Sequence, residues 1–150
     1  MITAREVVGE VLAALGWKHE TSDELRLMRL GFTGRHGRWL GFIKWNAAGD
    51  QVVVYAVSPV AMTPERRDAT LEYVTRANLG LPAGCFELDL DNGEVRFRRS
   101  VDWEGTPPDA AQVRLAILTA MAAMDQYLPG LVQVVQQRGD PQQALRDVEG

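Results

Sequence analysis

The stretch Cys85–Asp102, CFELDLDNGEVRFRRSVD, carries the charged side chains best placed to do chemistry. Its first half alternates the acids Glu87 and Asp89 with leucine, and its second half alternates Arg96 and Arg98 with apolar residues. Two neighbouring carboxylates can act as an acid–base pair, and two arginines can bind an anion. The same alternation is typical of two amphipathic strands, so the choice depends on how this stretch pairs with itself.

A β-hairpin accounts for these charges without a catalytic role. Asn92–Gly93 is a strong signal for a two-residue type I′ turn, because both positions of such a turn need positive φ. With these residues at the tip, apolar side chains face each other on one side and opposite charges on the other: Leu90 with Val95, Leu88 with Phe97, Asp89 with Arg96 and Glu87 with Arg98. Each charge pair would contribute about 0.2–1 kcal/mol and would help to fix the register. We therefore predict a structural hairpin.

The remaining reactive residue types predict no catalytic, metal or cofactor site. The histidines are His19 and His36, the cysteine is Cys85, and none has a second ligand at metal-binding spacing. A zinc site needs three or four ligands. The glycine-rich stretch GFTGRHG leads into an aromatic strand rather than a helix, which favours a hairpin connection over a phosphate-binding loop. We expect a non-enzymatic protein.

Asn78 is the polar residue whose position most needs explaining. It falls on the inward stripe of a predicted helix, four residues after Val74. An amide there commonly caps the helix or hydrogen-bonds the backbone of a neighbouring loop. The alternative is a small-ligand-binding domain or a small enzyme that uses a pocket near Asn78 and Trp103, with Glu104 beside it. That alternative predicts a concave pocket with converging polar groups.

Composition narrows the class of protein. The chain has 150 residues, 46% of them hydrophobic, which suits one soluble domain with its own core. Its net charge of −4 would repel a phosphate backbone, so we expect no nucleic-acid partner. One cysteine suits a reducing cytoplasm. The N-terminal stretch lacks the long apolar core of a signal peptide, and the uncharged run Gln51–Pro64 is shorter than the ~20 residues of a membrane span, so we expect no membrane contact.

Local signals predict three helices and five strands. A helix over Ile2–Leu15 has a Thr3–Glu6 capping box and ends at Gly16. A second helix begins at Thr63–Pro64 and runs to about Leu79. A third begins at Asp109 and reaches Pro129, where we expect a kink or break. The strands are Glu24–Phe32, then Trp39–Trp45, Val52–Ser58 and the two of the hairpin. In the first of them the apolar phase shifts between Leu27 and Met28, which indicates either a bulge or a different strand boundary.

The predicted order is αβββαββα, an antiparallel α+β fold, because short turn-rich links join the strands. We expect one domain over residues 1–138. Residues 139–150 form a C-terminal tail with a helix-start signal at Asp140–Pro141 but little to bury.

Two central strands carry more apolar surface than one sheet face can use. Trp39–Trp45 and Val52–Ser58 are apolar on both sides, whereas an antiparallel sheet with one wet face normally alternates. The third helix has no charge from Leu115 to Met124, so we expect it to be buried nearly all round. Three helices cover one face of the sheet, and the other face predicts contact with a second copy or another polypeptide. The alternative is that the sheet curls and the chain has further helices, so that a monomer buries this surface itself. The expected interface residues are Leu40, Phe42, Val53, Tyr55 and Val57.

Residues 62–135 resemble the YbjN-like family of bacterial proteins. The resemblance is carried by the helix end and hairpin RANLGLPAGCFELDLDNGEVRFR, by Val101–Asp102–Trp103, and by Asp125–Gln126–Tyr127–Leu128–Pro129. The element order is similar to that of type III secretion chaperones. This resemblance implies a small, acidic, cytoplasmic, usually dimeric fold that binds polypeptide segments, with a sensory or regulatory role. It implies no catalytic residues.

Overall fold

The chain folds as four helices packed on one face of a six-stranded antiparallel sheet. The computed structural model describes residues 2–105 and 109–150. The helices are α1 Ala4–Leu15, α2 Arg67–Gly80, α3 Ala110–Gln136 and α4 Pro141–Glu149, with a 3₁₀ turn Pro64–Arg66 leading into α2. The strands are β1 Glu20–Ser22, β2 Leu27–Thr33, β3 Arg38–Trp45, β4 Gln51–Val57, β5 Cys85–Leu88 and β6 Val95–Asp102. The sheet order is β1-β2-β3-β4-β6-β5. The α+β class is confirmed, and β1 and α4 are two elements beyond the predicted order.

Both ends of α1 follow from local sequence signals. The Thr3 hydroxyl accepts a hydrogen bond from the backbone N–H of Glu6 at 3.2 Å, which caps the first turn. At the other end Gly16 adopts a left-handed φ of 73°, and the N–H of Trp17 donates to the carbonyl of Leu12 at 3.0 Å. This arrangement satisfies carbonyls that the helix itself cannot pair. The predicted helix is confirmed, beginning at Ala4.

The first predicted strand, Glu24–Phe32, is wrong at its start. Residues 20–22 form the short strand β1, and the chain then turns through Arg26, which has a φ of 50°, into β2. The pairing of β2 with β3 runs unbroken from Leu27 to Thr33. The apolar phase shift at Leu27 and Met28 therefore marks the beginning of a strand and not a bulge.

The core lies between the helices and the sheet. Alternate strand residues point into it, among them Met28, Leu30, Trp39, Ile43, Val52, Val54, Ala56 and Phe97. The predicted stripe of α3 meets them, since Val113, Ile117, Met121, Met124 and Leu128 are all buried. The side chain of Leu115 is 59% exposed, however. The expectation that α3 is buried nearly all round is wrong there, because Leu115 lies off the stripe.

Among the described residues, α3 is the helix whose length and apolar composition would allow it to span a membrane. Its apolar side instead packs between the sheet and the other helices, with Ile117, Met124 and Leu131 buried. Because the core helix of a soluble protein has the same composition, this helix gives weak evidence for a membrane.

Proline at position 129 does not break α3. Proline has no N–H, so the carbonyl of Asp125 loses its helical partner. His36, in the β2–β3 connection, supplies one: its Nδ1 donates to that carbonyl at 2.8 Å. The backbone N–H groups of Arg35 and His36 also donate to the Asp125 carboxylate at 3.1 and 2.8 Å. Of the predicted kink or break, the break is wrong, because a distant loop satisfies the group that proline leaves unpaired.

Residues 139–150 do more than was expected of a tail. The Asp140 side chain accepts from the N–H of Gln143 at 2.9 Å and caps α4, as the helix-start signal predicts. The helix packs on α2 and α3 and buries Ala144 completely. Near its end, the Tyr127 hydroxyl donates to Glu149 at 2.7 Å. The expectation that this segment has little to bury is wrong.

Candidate functional site

The face of the sheet opposite the helices brings the five expected interface residues together. In the pairing of β3 with β4, Leu40 lies opposite Val57, Phe42 opposite Tyr55 and Lys44 opposite Val53. Leu40 is 39% exposed, and the other four apolar residues are half-buried. We call this sheet face the outer face, and we call Leu40, Phe42, Val53, Tyr55 and Val57 the apolar patch.

Cations surround the apolar patch. On β3, Arg38 and Lys44 stand two positions outside Leu40 and Phe42, on the same face. Across the sheet, Arg29 lies opposite Phe42. On the other side of the patch, β6 places arginines opposite Tyr55 and Val57. We call these cations the basic rim: Arg29, Arg38, Lys44, Arg96 and Arg98.

One carboxylate holds the β6 side of the basic rim in place. Glu87 on β5 accepts from Arg96 at 2.8 Å and lies 3.1 Å from Nε of Arg98. The charge of Glu87 raises the pKa of Arg98 above its ordinary value, although burial acts against it. The Arg96 guanidinium lies 4.4 Å from the centre of the Tyr55 ring, a cation–π contact that joins the rim to the patch.

The hairpin that carries Glu87 differs from the predicted one. Glu87 pairs with Arg96 and Leu88 with Val95, so the turn spans residues 89–94 and not Asn92–Gly93 alone. The observed register differs by two residues from the predicted one. Since side chains alternate with a period of two, each strand residue keeps its predicted face. The apolar-inside, charged-outside arrangement is confirmed for the residues of the two strands, and all four predicted pairs are wrong as strand partners: Leu90–Val95, Leu88–Phe97, Asp89–Arg96 and Glu87–Arg98. Leu90, expected to face inward, lies in the turn and is 47% exposed.

Local and distant contacts explain the longer turn. The Asp89 carboxylate accepts from the N–H of Asp91 at 2.9 Å, which draws Asp89 out of the strand. The carbonyl of Gly93 accepts from the N–H of Met62 at 2.8 Å. A Cβ at Gly93 would lie 2.6 Å from the carbonyl oxygen of Met62, so the turn docks closely on this earlier segment. Glu87 and Asp89 have separate structural partners, which supports the structural interpretation of both acids.

The structure does not bring Asn78 and Trp103 into one pocket. The Asn78 amide hydrogen-bonds the backbone of Phe86, which lies opposite Phe97. Trp103 lies just beyond the other end of β6, where its backbone N–H donates to the carbonyl of Asp50 at 2.8 Å. Phe97 and Trp103 are six residues apart on an extended segment, which is roughly 20 Å. The structural role predicted for Asn78 is confirmed.

The other clefts and reactive side chains of the described residues offer fewer groups that could bind a ligand or a metal. A cleft of about 710 Å³ lies between the start of α1 and the β3–β4 turn. Arg5 on its wall is paired with Asp23, which raises the pKa of this arginine. Within residues 2–105 and 109–150, no three His, Cys, Asp or Glu side chains are grouped to hold a metal ion. Cys85 is half-buried on β5.

Alternation along β3 and β4 predicts which apolar residues share the outer face, but sequence reasoning did not place the arginines of the basic rim there. The signal for the rim was present in β3, where Arg38, Leu40, Phe42 and Lys44 alternate with residues of the core face. From the sequence alone, the arginines of β6 are explained as partners of the acids in the hairpin. Their approach to Tyr55 depends on the pairing of β6 with β4, which joins elements far apart in the chain.

The fold is similar to those of several solved proteins. The Yersinia pestis type III secretion chaperone SycH, solved in complex with a stable fragment of YscM2, is 16% identical with a TM-score of 0.56, covering 84% of this chain and 99% of that one. YbjN from E. coli, described as "a putative transcription regulator", is 10% identical with a TM-score of 0.58, covering 80% and 84%. The HopA1–SchA chaperone–effector complex gives 10% identity and a TM-score of 0.51, covering 80% and 91%. These likenesses show the fold.

The search of curated proteins gives no match. The family model YbjN, described as "Putative bacterial sensory transduction regulator", matches residues 4–133. This span runs from the first residue of α1 into the last turn of α3, and it includes every strand of the sheet. The chain therefore belongs to the YbjN family.

Proposed function

We propose that this protein is a non-enzymatic protein-binding module, chaperone-like or regulatory, and that the apolar patch on the outer face is its working surface. The observation that carries the proposal is the location of the patch: five apolar side chains lie together on the sheet face opposite the helices. Two proteins of similar fold were solved with protein partners, SycH with a fragment of YscM2 and SchA with HopA1.

The physical argument is one of burial. A sheet face that meets only water normally carries polar side chains, whereas the centre of this one is apolar. Covering apolar surface contributes about 25 cal/mol per Å², so a partner that shields the patch gains free energy there. Polar and charged groups surround the patch, as they do at the rim of many protein interfaces.

The proposed partner is a polypeptide, either a second copy of the chain, which would make a homodimer, or another protein. A cytoplasmic location belongs to the same proposal and rests on the family resemblance and on the single cysteine, Cys85. A non-enzymatic role is supported by the acids of the hairpin, because Glu87 is engaged by two arginines and Asp89 by its own turn.

The substitution Phe42→Asp tests this proposal. It places a charge at the centre of the apolar patch on a half-buried side chain, so the fold should survive while association is lost. Leu79→Asp is the matched control, because Leu79 is 91% exposed on α2, away from the outer face. Circular dichroism should show that both variants are folded. Solution mass and capture from native cells should then show association for the wild type and Leu79→Asp but not for Phe42→Asp.

Two results would contradict the proposal. Unfolding of Phe42→Asp would show that the outer face is part of the core. A folded Phe42→Asp that keeps every association of the wild type would place the binding surface elsewhere.

A further inference from the structure

We propose that the outer face binds an extended segment of another protein in which apolar side chains are flanked by acidic ones. This inference rests on the proposed function and identifies the chemistry of the partner. Five cations surround the apolar patch, and the acids in contact with them are Glu20, 3.8 Å from Arg29, and Glu87. Among the described residues, Arg38 and Lys44 form no ion pair. The outer face therefore has an excess of positive charge, on a chain whose net charge is −4.

The two unpaired cations also set a length. Arg38 and Lys44 are six residues apart on β3, which is about 20 Å in an extended strand. Between them the same face presents Leu40 and Phe42, with Tyr55 and Val57 directly across on β4. An extended segment lying along β3 would place apolar side chains over the patch and a carboxylate near each of the two cations. Such a pairing of opposite charges at the rim favours the correct partner and orientation.

The charge pattern disfavours a second copy as the occupant of this face. In a two-fold dimer the same patch of each subunit contacts the other, so the basic rim of one copy would meet the basic rim of its partner. Of the acids on this face, Glu20 and Glu87 already contact arginines of their own subunit, and Asp102, at the far end of β6, accepts a hydrogen bond from Gln51. Like charges that face each other across an interface cost free energy. If the chain forms a dimer, we expect a surface other than the outer face.

The pattern also favours a protein segment over single-stranded nucleic acid. Binding of single strands depends on aromatic rings that are free to stack on bases. The Tyr55 ring already lies against the Arg96 guanidinium at 4.4 Å, which leaves Phe42 as the other aromatic ring of the patch. A single free ring cannot stack successive bases of a strand. Aliphatic side chains make up most of the patch, and they suit an apolar segment better than a base.

Synthetic probes of about eight residues, long enough to reach from Arg38 to Lys44 when extended, test the inference. The first probe carries leucine, phenylalanine and valine between glutamates at both ends. The second replaces these glutamates with lysines, and the third keeps them and replaces the apolar residues with serine. An oligouridylate of the same length is the nucleic-acid probe. Fluorescence anisotropy with the full chain should show the tightest binding for the first probe, weakening as salt is added.

A charge swap makes the test specific. The double variant Arg38→Glu with Lys44→Glu should bind the glutamate probe about ten-fold more weakly and should gain affinity for the lysine probe. Arg114→Glu is the control, because Arg114 is an exposed cation on α3, outside the outer face, and its binding should match the wild type. Absence of binding by the glutamate probe, equal binding of the lysine probe, or tighter binding of the oligouridylate by the wild type would overturn the inference.

The same experiments separate this inference from the proposed function. If Phe42→Asp abolishes binding and the charge swap changes nothing, the patch is a binding surface and the acidic flanks are wrong. If the wild type is a dimer in solution and Phe42→Asp makes it a monomer, a second copy occupies the outer face and the inference fails while the proposed function stands. If neither variant alters any association, both fail.

Discussion

The side chain of Asn78 pairs with the backbone of Phe86 as a neighbouring strand would. Its Nδ2 donates to the carbonyl of Phe86 at 2.9 Å, and the N–H of Phe86 donates to its Oδ1 at 2.7 Å. Phe86 lies in β5, the last strand of the sheet. A helix side chain thus satisfies the edge of this strand at a point where another chain could otherwise pair.

Asn78→Ala should destabilise the protein by about 1–3 kcal/mol, because two hydrogen bonds are lost and the Phe86 backbone is left without partners. Chemical denaturation measures the change in free energy of unfolding, and hydrogen exchange at the Phe86 amide should become faster. Leu79→Ala, at the exposed neighbouring position, should change stability by less than about 0.5 kcal/mol. Unchanged exchange at Phe86 in Asn78→Ala would show that the amide does not protect this edge.

Gly130→Ala should also be destabilising, although alanine is normally the better helix former. A Cβ at position 130 would lie 2.0 Å from the Tyr73 hydroxyl, and Tyr73 is only 1% exposed. Overpacking of this kind typically costs about 1–3 kcal/mol. Gly9→Ala in α1 is the control, since its Cβ would meet Met28 at an ordinary 3.6 Å. There we expect stabilisation by about 0.5–1 kcal/mol. Thermal unfolding should give opposite signs for the two variants, and equal signs would contradict the close approach of Tyr73 to α3.

His36 and Pro129 should be energetically coupled. Pro129 has no N–H that could donate to the Asp125 carbonyl, and His36 Nδ1 donates to this carbonyl instead. His36→Ala should therefore cost more stability in the wild type than in a Pro129→Ala background, where the helix can supply the missing donor. A double-mutant cycle on free energies of unfolding should give a coupling of about 0.5–1.5 kcal/mol. Additive effects would mean that the proline and the loop act independently.

Stability should fall at high pH through the buried tyrosines. Burial, with the Glu149 hydrogen bond and charge, raises the pKa of Tyr127 from 10.0 to about 12. Burial also raises the pKa of Tyr73. A raised folded-state pKa means that the unfolded chain loses its proton first, so this stability is complete below pH 10 and is lost as the pH rises towards about 12.

Tyr127→Phe keeps the ring and removes the hydroxyl that titrates. The decline in the free energy of unfolding between pH 10 and 11 should therefore become shallower. Urea denaturation at several pH values measures that slope. Identical slopes for Tyr127→Phe and the wild type would contradict the assignment to Tyr127.

Sequence signals predicted the elements whose ends depend on neighbouring residues. The capping residues Thr3 and Asp109 bond backbone groups within one helical turn, and Gly16 ends α1 through its own backbone conformation. Each of these helix ends can therefore be predicted from a few neighbouring residues. The apolar patch was predictable for the same reason, because alternation along β3 and β4 fixes which residues share a face.

The predictions that are wrong share a different cause, because contacts between residues far apart in the chain determine the structure at those places. The turn after β5 depends on Met62, which no local pattern connects to Gly93. Proline at 129 is tolerated because His36 reaches it from the β2–β3 connection. The strand β1 is three polar residues long and is formed only by pairing with β2. The basic rim likewise exists only once β6 lies beside β4.

The Asn78–Phe86 pairing also limits how copies of the chain could join through their sheets. Because the Asn78 side chain already pairs with the middle of β5, a strand from another copy would add to the sheet at its opposite edge strand, β1. With one open edge strand, two copies can pair through their β1 strands about a two-fold axis. The resulting dimer then has no open edge strand to which a third copy could add. Sheet-to-sheet association of this protein would end at two molecules instead of continuing into a filament.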